Sequence, residues 1–425
     1  METVIRAIDN FNFLKLVSFK DFSLWDVKRL VAERIASVFP IVSLGDYIKE
    51  ENTKIRPALE PEKEHKILGV NNIDGIFDAY NQLGKEIKQP YKIMKEGFLA
   101  YNPYRINVGS IGLKTKEHNN DLISPAYVVF SCKNGLNPDF LFKLFKTDRF
   151  NKVIRDNTTG SVRQNLTIDI LKTLEIPLPK PAEQEEILAE YYTKIEEANK
   201  LNFKAKEIQE SILPIIRSYL GIEFLLWERK QGLHFTSLKD IKRWAIWNVN
   251  NYSLKKEFPK YTLEQLISIS SGKFLPANKQ EGDEYFVYGG NGINGTHNEY
   301  CFEGKRIIIG RVGEYCGNVH LVDGKYWVTD NAFWSERKKE IFTWEYLEVV
   351  LTGLDLNKFR VISAQPSISQ SNILELEIPV PPIEEQNSIV QIVQEKRNEI
   401  EELKKDAITL KVSAIKDFEA KIFKN

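Results

Sequence analysis

Residues 174–187 of this chain read LEIPLPKPAEQEEI, and residues 376–389 read LEIPVPPIEEQNSI. This duplication constrains the fold more than any bulk property, because both copies must do the same local job. The match extends both ways at one offset and needs no gap. Upstream, Ser161, Asn165, Leu166 and Thr167 meet Ser363, Ser367, Ile368 and Ser369. Downstream it becomes periodic. Ile187, Tyr191, Ala198, Leu201, Ala205 and Ile208 recur by threes and fours around Lys194. Ile389, Val393, Ile400, Leu403, Ala407 and Leu410 do the same around Lys396. That spacing lays an apolar stripe along one helix face, so these twelve side chains are the expected helix-packing residues.

Both helix starts are also written twice. Pro181 and Pro382 sit where a first turn tolerates proline. Glu183, Glu185 and Glu186, like Glu384 and Glu385, place acid where the helix dipole favours it. The LEIPLP and LEIPVP words alternate and end in proline, as short strands do at a stop. The first helix is expected over about 181–214, with Pro214 ending or kinking it. The second is expected from about Ile383 almost to the C-terminus.

A weaker repeat precedes each unit. Trp25-Asp26-Val27, Phe39-Pro40 and IVSLGDYI are echoed by Trp247-Asn248-Val249, Phe258-Pro259 and YTLEQLISI. Helical periodicity over 24–38 is followed in the first half by short apolar runs broken by Gly, Asn and Pro. The second half is richer in glycine turns and aromatics, so strands dominate the expectation. The chain therefore reads as α/β (α+β): two mixed, sheet-rich domains separated by two long helices packed as an antiparallel coiled coil, a pseudo-twofold internal repeat. The expected boundaries are 1–165 for the first domain, 166–222 for linker strand and first helix, 223–370 for the second domain, and 371–425 for linker strand and second helix. Two amphipathic helices packed separately on their own domains would satisfy the same pattern.

Charge excludes one easy argument. Among 425 residues, Lys plus Arg and Asp plus Glu both number 59, so nucleic-acid binding must come from local patches. Three cysteines, Cys132, Cys301 and Cys316, give no disulfide framework and fit a reducing cytoplasm. No apolar run approaches a membrane span, and the N-terminal residues do not read as a signal peptide; a cytoplasmic protein without membrane partners is expected.

Basic, amide and aromatic residues gather on the turns. In the second half these are Tyr288, Asn291, His297, Arg306, Arg311, Lys325, Trp327 and Asn331. In the first they are Lys92, Asn102, Arg105, Lys114 and Lys116, with Tyr91, Tyr101 and Tyr104 between them. Arg and Lys suit phosphates or guanine edges, and Asn pairs bidentately with adenine. A solvated rim has the same composition.

A domain, then IPLPxxxEQ, then a long helix, all repeated once, resembles the specificity (S) subunit of type I restriction-modification systems. VYGGNGINGT, RIIIGRVGEYCGNV and WVTDNAFW look like that family's target recognition domain, and YNPYRINVGSIGL with SPAYVVF looks like a variant of it. The resemblance covers nearly the whole chain. It implies that each domain reads one half of a bipartite, asymmetric sequence in double-stranded DNA. It also implies that the helices space the domains and dock two methyltransferase subunits. Those subunits transfer methyl groups from S-adenosylmethionine to adenine, and restriction subunits using ATP and magnesium join in a restricting system. The chain itself would be non-catalytic and hold no cofactor. The geometry agrees: two readers on one DNA face sit roughly 34–36 Å apart, which a helix of roughly 50 Å can span.

Sharper chemistries are less well supported. Asn102-Pro103-Tyr104 is similar to an amino-methyltransferase word but lacks its second proline, and no strand leads into a glycine-rich cofactor loop. No phosphate loop is present, and Pro138-Asp139 lacks a nuclease-type partner. His297 with Cys301, and Cys316 with His320, offer zinc-ligand types, but on a strand that spacing separates them by roughly 13 Å, so no metal is expected. The alternative from another class is a coiled-coil structural adaptor without DNA binding.

Overall fold

The computed structural model describes residues 35–157, 165–224, 252–361 and 365–424. Both Trp words, Ser161 and Ser363 lie outside these residues, as does most of the periodic stretch 24–38. Its described end is not helical; there Ser37 bridges Phe423. The chain forms two compact units. One comprises 1–200 with 406–425, the other 201–405, so each long helix contributes to both.

In the first unit β1 (Ile41–Ser43) leads through a single turn, α1 (Leu44–Tyr47), into β2 (Ile48–Glu50). Then come β3 (Lys54–Ile55), β4 (Glu64–Val70), β5 (Ile76–Leu83), β6 (Tyr91–Ile93), β7 (Leu99–Tyr101), β8 (Ile111–Leu113), β9 (Leu122–Ile123) and β10 (Val128–Cys132). They build a five-stranded sheet, β3-β6-β9-β4-β5, and a four-stranded sheet, β2-β10-β7-β8. Two amphipathic helices, α2 (Pro138–Lys146) and α3 (Asp148–Asn157), then cover the core. They bury Phe140, Phe145 and Phe150 completely, each worth roughly 1.5–3 kcal/mol. A short α4 (Ile168–Lys172) precedes β11 (Glu175–Pro177), and α5 (Pro181–Leu220) begins at the expected proline.

The second unit repeats this order. After β12 (Ile222–Phe224) and β13 (Tyr252–Leu254), β14 (Lys260–Thr262) enters the turn α6 (Leu263–Leu266) and then β15 (Ile267–Ser271). The strands β16 (Tyr285–Gly289), β17 (Gly292–His297), β18 (Phe302–Glu303), β19 (Arg306–Gly310), β20 (Val319–Val322), β21 (Lys325–Val328) and β22 (Ala332–Arg337) form the sheets β17-β16-β21-β18 and β15-β22-β19-β20. Then come α7 (Trp344–Leu354), α8 (Gln370–Leu374), β23 (Glu377–Pro379) and α9 (Ile383–Ile422). The parallel pair within each antiparallel frame, β4 with β9 and β16 with β21, occupies the same place in both units.

The duplicated word is therefore a duplicated device. Glu175-Ile176-Pro177 pairs antiparallel with Ile41–Ser43, and Glu377-Ile378-Pro379 pairs with Lys260–Thr262 in the same register. Each two-stranded ribbon is edged by prolines, which cannot donate further. Leu44 N–H then bonds Leu174 O at 2.8 Å, and Leu263 N–H bonds Leu376 O at 2.9 Å.

Both long helices run 40 residues, roughly 60 Å. Proline does not end the first, which continues six residues beyond Pro214. Pro214 is exposed, so the carbonyl it leaves unpaired faces water, while Ile212, Ile216 and Leu220 bury the opposite side. Within each unit the two helix segments run antiparallel. In the first, Glu190 pairs with Lys421 and Lys194 with Asp417. In the second, Lys204 meets Glu399 at 3.2 Å, and Tyr219 Oη donates to Glu385 O. All twelve expected seam residues are buried or half-buried.

Candidate nucleic-acid interface

In the second unit the β16–β17 turn lies against the β19–β20 loop. Two glycines make this approach possible. A Cβ on Gly310 would fall 2.0 Å from Gly290 O, and one on Gly290 would fall 2.7 Å from Val312 O. Asn318 Nδ2 donates to Asn291 Oδ1 at 2.9 Å and ties the two loops together. Between them opens a cleft of about 360 Å³, lined by Asn291, Ile293, Asn294, Glu314, Tyr315, Asn331 and Gln365 among others. Arg311 stands at the base of the loop. Its N–H bonds Asn331 O at 2.9 Å, its carbonyl accepts from Ile368 N–H at 2.9 Å, and its exposed guanidinium lies 5.7 Å from the Phe333 ring. The lining carries the side-chain amides of Asn291, Asn294, Asn331 and Gln365, groups of the kind that can donate to and accept from base edges.

The remaining residues of the second-half cluster lie elsewhere. Arg306 opens β19 and Arg311 follows its last residue, so along the strand they lie roughly 17 Å apart. Arg306 is engaged at its own end, donating to Ser335 O at 3.1 Å and lying over Trp334 at 5.2 Å. His297 and Trp327 meet edge to face at 5.5 Å, Trp327 Nε1 donates to Lys273 O, and Lys325 lies 4.6 Å from the Tyr300 ring. Tyr288 faces a second cleft with His320, beside the bidentate pair of Arg397 with Glu348.

The first unit presents the equivalent loops. The β4–β5 turn, 71–75, abuts the β7–β8 loop. Lys146 Nζ bridges them by donating to Asn72 O at 3.3 Å and Gly109 O at 3.0 Å, and burial holds its ammonium below the usual lysine range. Asn102 and Arg105 belong to this loop, and Arg105 is exposed. Lys116 is exposed near Glu96 at 4.0 Å. Lys92 and Lys114 do not belong to the exposed set. Both are buried, Lys92 donating to Tyr127 O at 2.8 Å and Lys114 to Met94 O at 2.9 Å and to Asp121. Their carbon stems fill apolar space while their ammonium groups satisfy backbone carbonyls. Burial lowers the Lys92 pKa.

Two segments, 80–210 and 255–410, match the type I restriction modification DNA specificity domain. The chain belongs to that family. Each matched segment runs from a recognition sheet into a long helix, so the domain of this family is the repeated unit. A specificity subunit of the EcoprrI type I restriction enzyme of Escherichia coli is 27% identical over 248 residues, 56% of each chain. The MjaIX specificity subunit of Methanocaldococcus jannaschii is 28% identical over 151 residues, 34% of this chain and 30% of that one. The chain thus matches about half the length of these relatives or less. A chain from a solved structure of the type I R-M system, described for complex assembly and conformational transition, superposes with a TM-score of 0.54. It is 15% identical, with 92% of this chain and 97% of that one covered, and shows a shared fold.

Two of the zinc-ligand types are engaged in packing and hydrogen bonding. Cys316 is fully buried in the second unit's core, and Cys301 Sγ accepts from Val328 N–H. Burial raises both thiols. Among the described residues no three His, Cys, Asp or Glu side chains gather as a metal site, and no helix is long and apolar enough to cross a membrane. The sequence reading missed Asn294, Tyr315 and Gln365 in the cleft and Asn72, Ile73 and Lys146 beside the first loop. The turn word NNIDG was the available signal for 71–75.

Proposed function

We propose that this chain is the DNA-specificity subunit of a type I restriction-modification enzyme and binds a bipartite, asymmetric duplex target. The observation that carries this reading is the pair of equivalent loop sites with unlike side chains. In one unit residues 71–75 read NNIDG and 102–110 read NPYRINVGS; in the other, 290–291 read GN and 311–318 read RVGEYCGN. The same scaffold with different edge chemistry reads different sequences, because base-edge contacts specify while phosphate contacts position. Two different half-sites follow, separated by unread base pairs.

The long helices act as the spacer and dock two methyltransferase subunits. Methyl transfer to adenine and S-adenosylmethionine belong to those partners. ATP and magnesium belong to restriction subunits where these join. The chain supplies recognition and no reacting group.

The test is a map of adenine methylation in genomic DNA from the source strain and from a strain lacking this gene. One split, asymmetric motif should lose its methylation in the deletion. Grafting foreign residues onto 71–75 and 102–110 should then alter one half of the motif alone. An unchanged map in a strain that expresses the chain argues instead for the structural adaptor.

A further inference from the structure

Both loop sites hold an isoleucine and a tyrosine that the fold leaves in water. In the first unit Ile73, on the β4–β5 turn, is 84% exposed, and Tyr104, on the β7–β8 loop, is 58% exposed. In the second unit Ile293, beside the β16–β17 turn, is 58% exposed, and Tyr315, on the β19–β20 loop, is 55% exposed. A lone exposed apolar residue needs no explanation. Here an exposed isoleucine and an exposed tyrosine stand at the facing loops of both units, though not at matching register positions: Ile73 lies within its turn, whereas Ile293 is the second residue of β17.

The backbone that carries these side chains is hydrogen-bonded in place. Asn71 Oδ1 accepts from Ile73 N–H at 2.9 Å and Asp74 N–H at 2.6 Å, Asn71 Nδ2 bonds Asp74 Oδ2, and Asn71 N–H bonds Gly75 O. Tyr104 N–H is fixed on Asn102 Oδ1 at 3.0 Å. Ile293 is registered opposite Tyr288 in the β16–β17 pair, and the Tyr315 carbonyl accepts from Asn318 N–H at 3.1 Å. An apolar side chain on a pinned backbone loses less entropy on contact than one on a free loop. It suits a ligand with a small apolar knob among polar edges. Duplex DNA has one such knob in the major groove, the thymine 5-methyl group.

We propose that Ile73 with Tyr104, and Ile293 with Tyr315, are specificity-determining contacts that read thymine methyl groups, one pair in each half-site. The assignment rests on the DNA-reading function proposed above and adds what each site recognises.

The experiment uses the full chain with the subunits that copurify with it, and duplexes carrying the motif found by methylation mapping. Thymines in one half-site at a time are replaced by deoxyuridine, which removes only the methyl group. Binding should weaken roughly fourfold for each contacted methyl, in both half-sites. Ile73→Ala should abolish the sensitivity in one half-site and preserve it in the other, and Ile293→Ala should do the reverse. Specific binding that ignores deoxyuridine overturns the proposal, as does a half-site without thymine. Variants that weaken thymine and deoxyuridine duplexes equally, leaving the sensitivity intact, overturn the residue assignment. Binding of the motif duplex no tighter than of a scrambled duplex is a separate result and defeats the DNA-reading function itself.

Discussion

Gln184 and Gln386 make the same three hydrogen bonds in the two units. Gln184 Oε1 accepts from Asn137 N–H at 2.8 Å, and its Nε2 donates to Gly135 O at 2.7 Å and Pro179 O at 2.8 Å. Gln386 Oε1 accepts from Thr343 N–H at 3.0 Å, and its Nε2 donates to Ile341 O at 2.9 Å and Pro381 O at 2.8 Å. Asn137 and Thr343 are the N-caps of α2 and α7. The glutamine of each repeated word therefore fixes the recognition domain to the start of its long helix.

Both glutamines are fully buried, so Gln184→Ala and Gln386→Ala would each strand one N–H and two carbonyls. A loss of about 2–3 kcal/mol is expected for either variant, read as a lower urea midpoint. A glutamate at the same place should be no better, because it cannot donate to the two carbonyls.

The repeat supplies an expected compensation for the Arg397–Glu348 pair. The equivalent positions in the first unit are Ile195 and Phe142, both apolar. Glu348 is 7% exposed and bonded at 2.7 and 3.0 Å. Arg397→Ile alone should cost roughly 2–3 kcal/mol by leaving the carboxylate buried without its partner. The value lies below the fully buried range because the Arg397 side chain is 37% exposed. Arg397→Ile with Glu348→Phe should recover to within about 1 kcal/mol of the native chain in a double-mutant cycle.

Much of this architecture could be read from the sequence, and the failures share a cause. The helices declared themselves because periodicity, prolines and acidic first turns are all local. The glutamines did not, since their N-cap partners lie 47 and 43 residues upstream. Lys92 and Lys114 looked like surface cations because burial is decided by tertiary packing. Arg306 and Arg311 looked like one cluster because closeness along a strand is distance in space. Pro214 does not end its helix, because whether its freed carbonyl meets water depends on which face it occupies.

That face makes Pro214→Ala a stabilising change. The substitution restores one helix hydrogen bond and removes the ring clash without touching the buried face. A gain of about 1–3 kcal/mol is expected, measured as a raised melting temperature.

His320 makes stability fall in mild acid. Burial lowers its pKa from 6.5, and Glu348 only partly opposes the shift. Between the lowered folded value and 6.5 the unfolded chain binds more protons, so stability rises with pH there. The contribution is complete above 6.5, lost as pH falls through that window, and constant below it. His320→Gln should flatten this part of the profile, read as a smaller difference in urea midpoint between pH 7.5 and 5 than in the native chain.

Arg105 and Lys92 separate surface charge from buried charge. Arg105 is exposed on the first loop, where a guanidinium can meet phosphate, whereas Lys92 spends its ammonium on Tyr127 O. Arg105→Gln should weaken DNA binding at every sequence and reduce the slope of log K against log salt by about one. Lys92→Met should leave both quantities unchanged, since its ammonium is turned inward. Salt titrations of the two variants on one motif duplex decide the matter, and a lowered salt slope for Lys92→Met would contradict this placement of the interface.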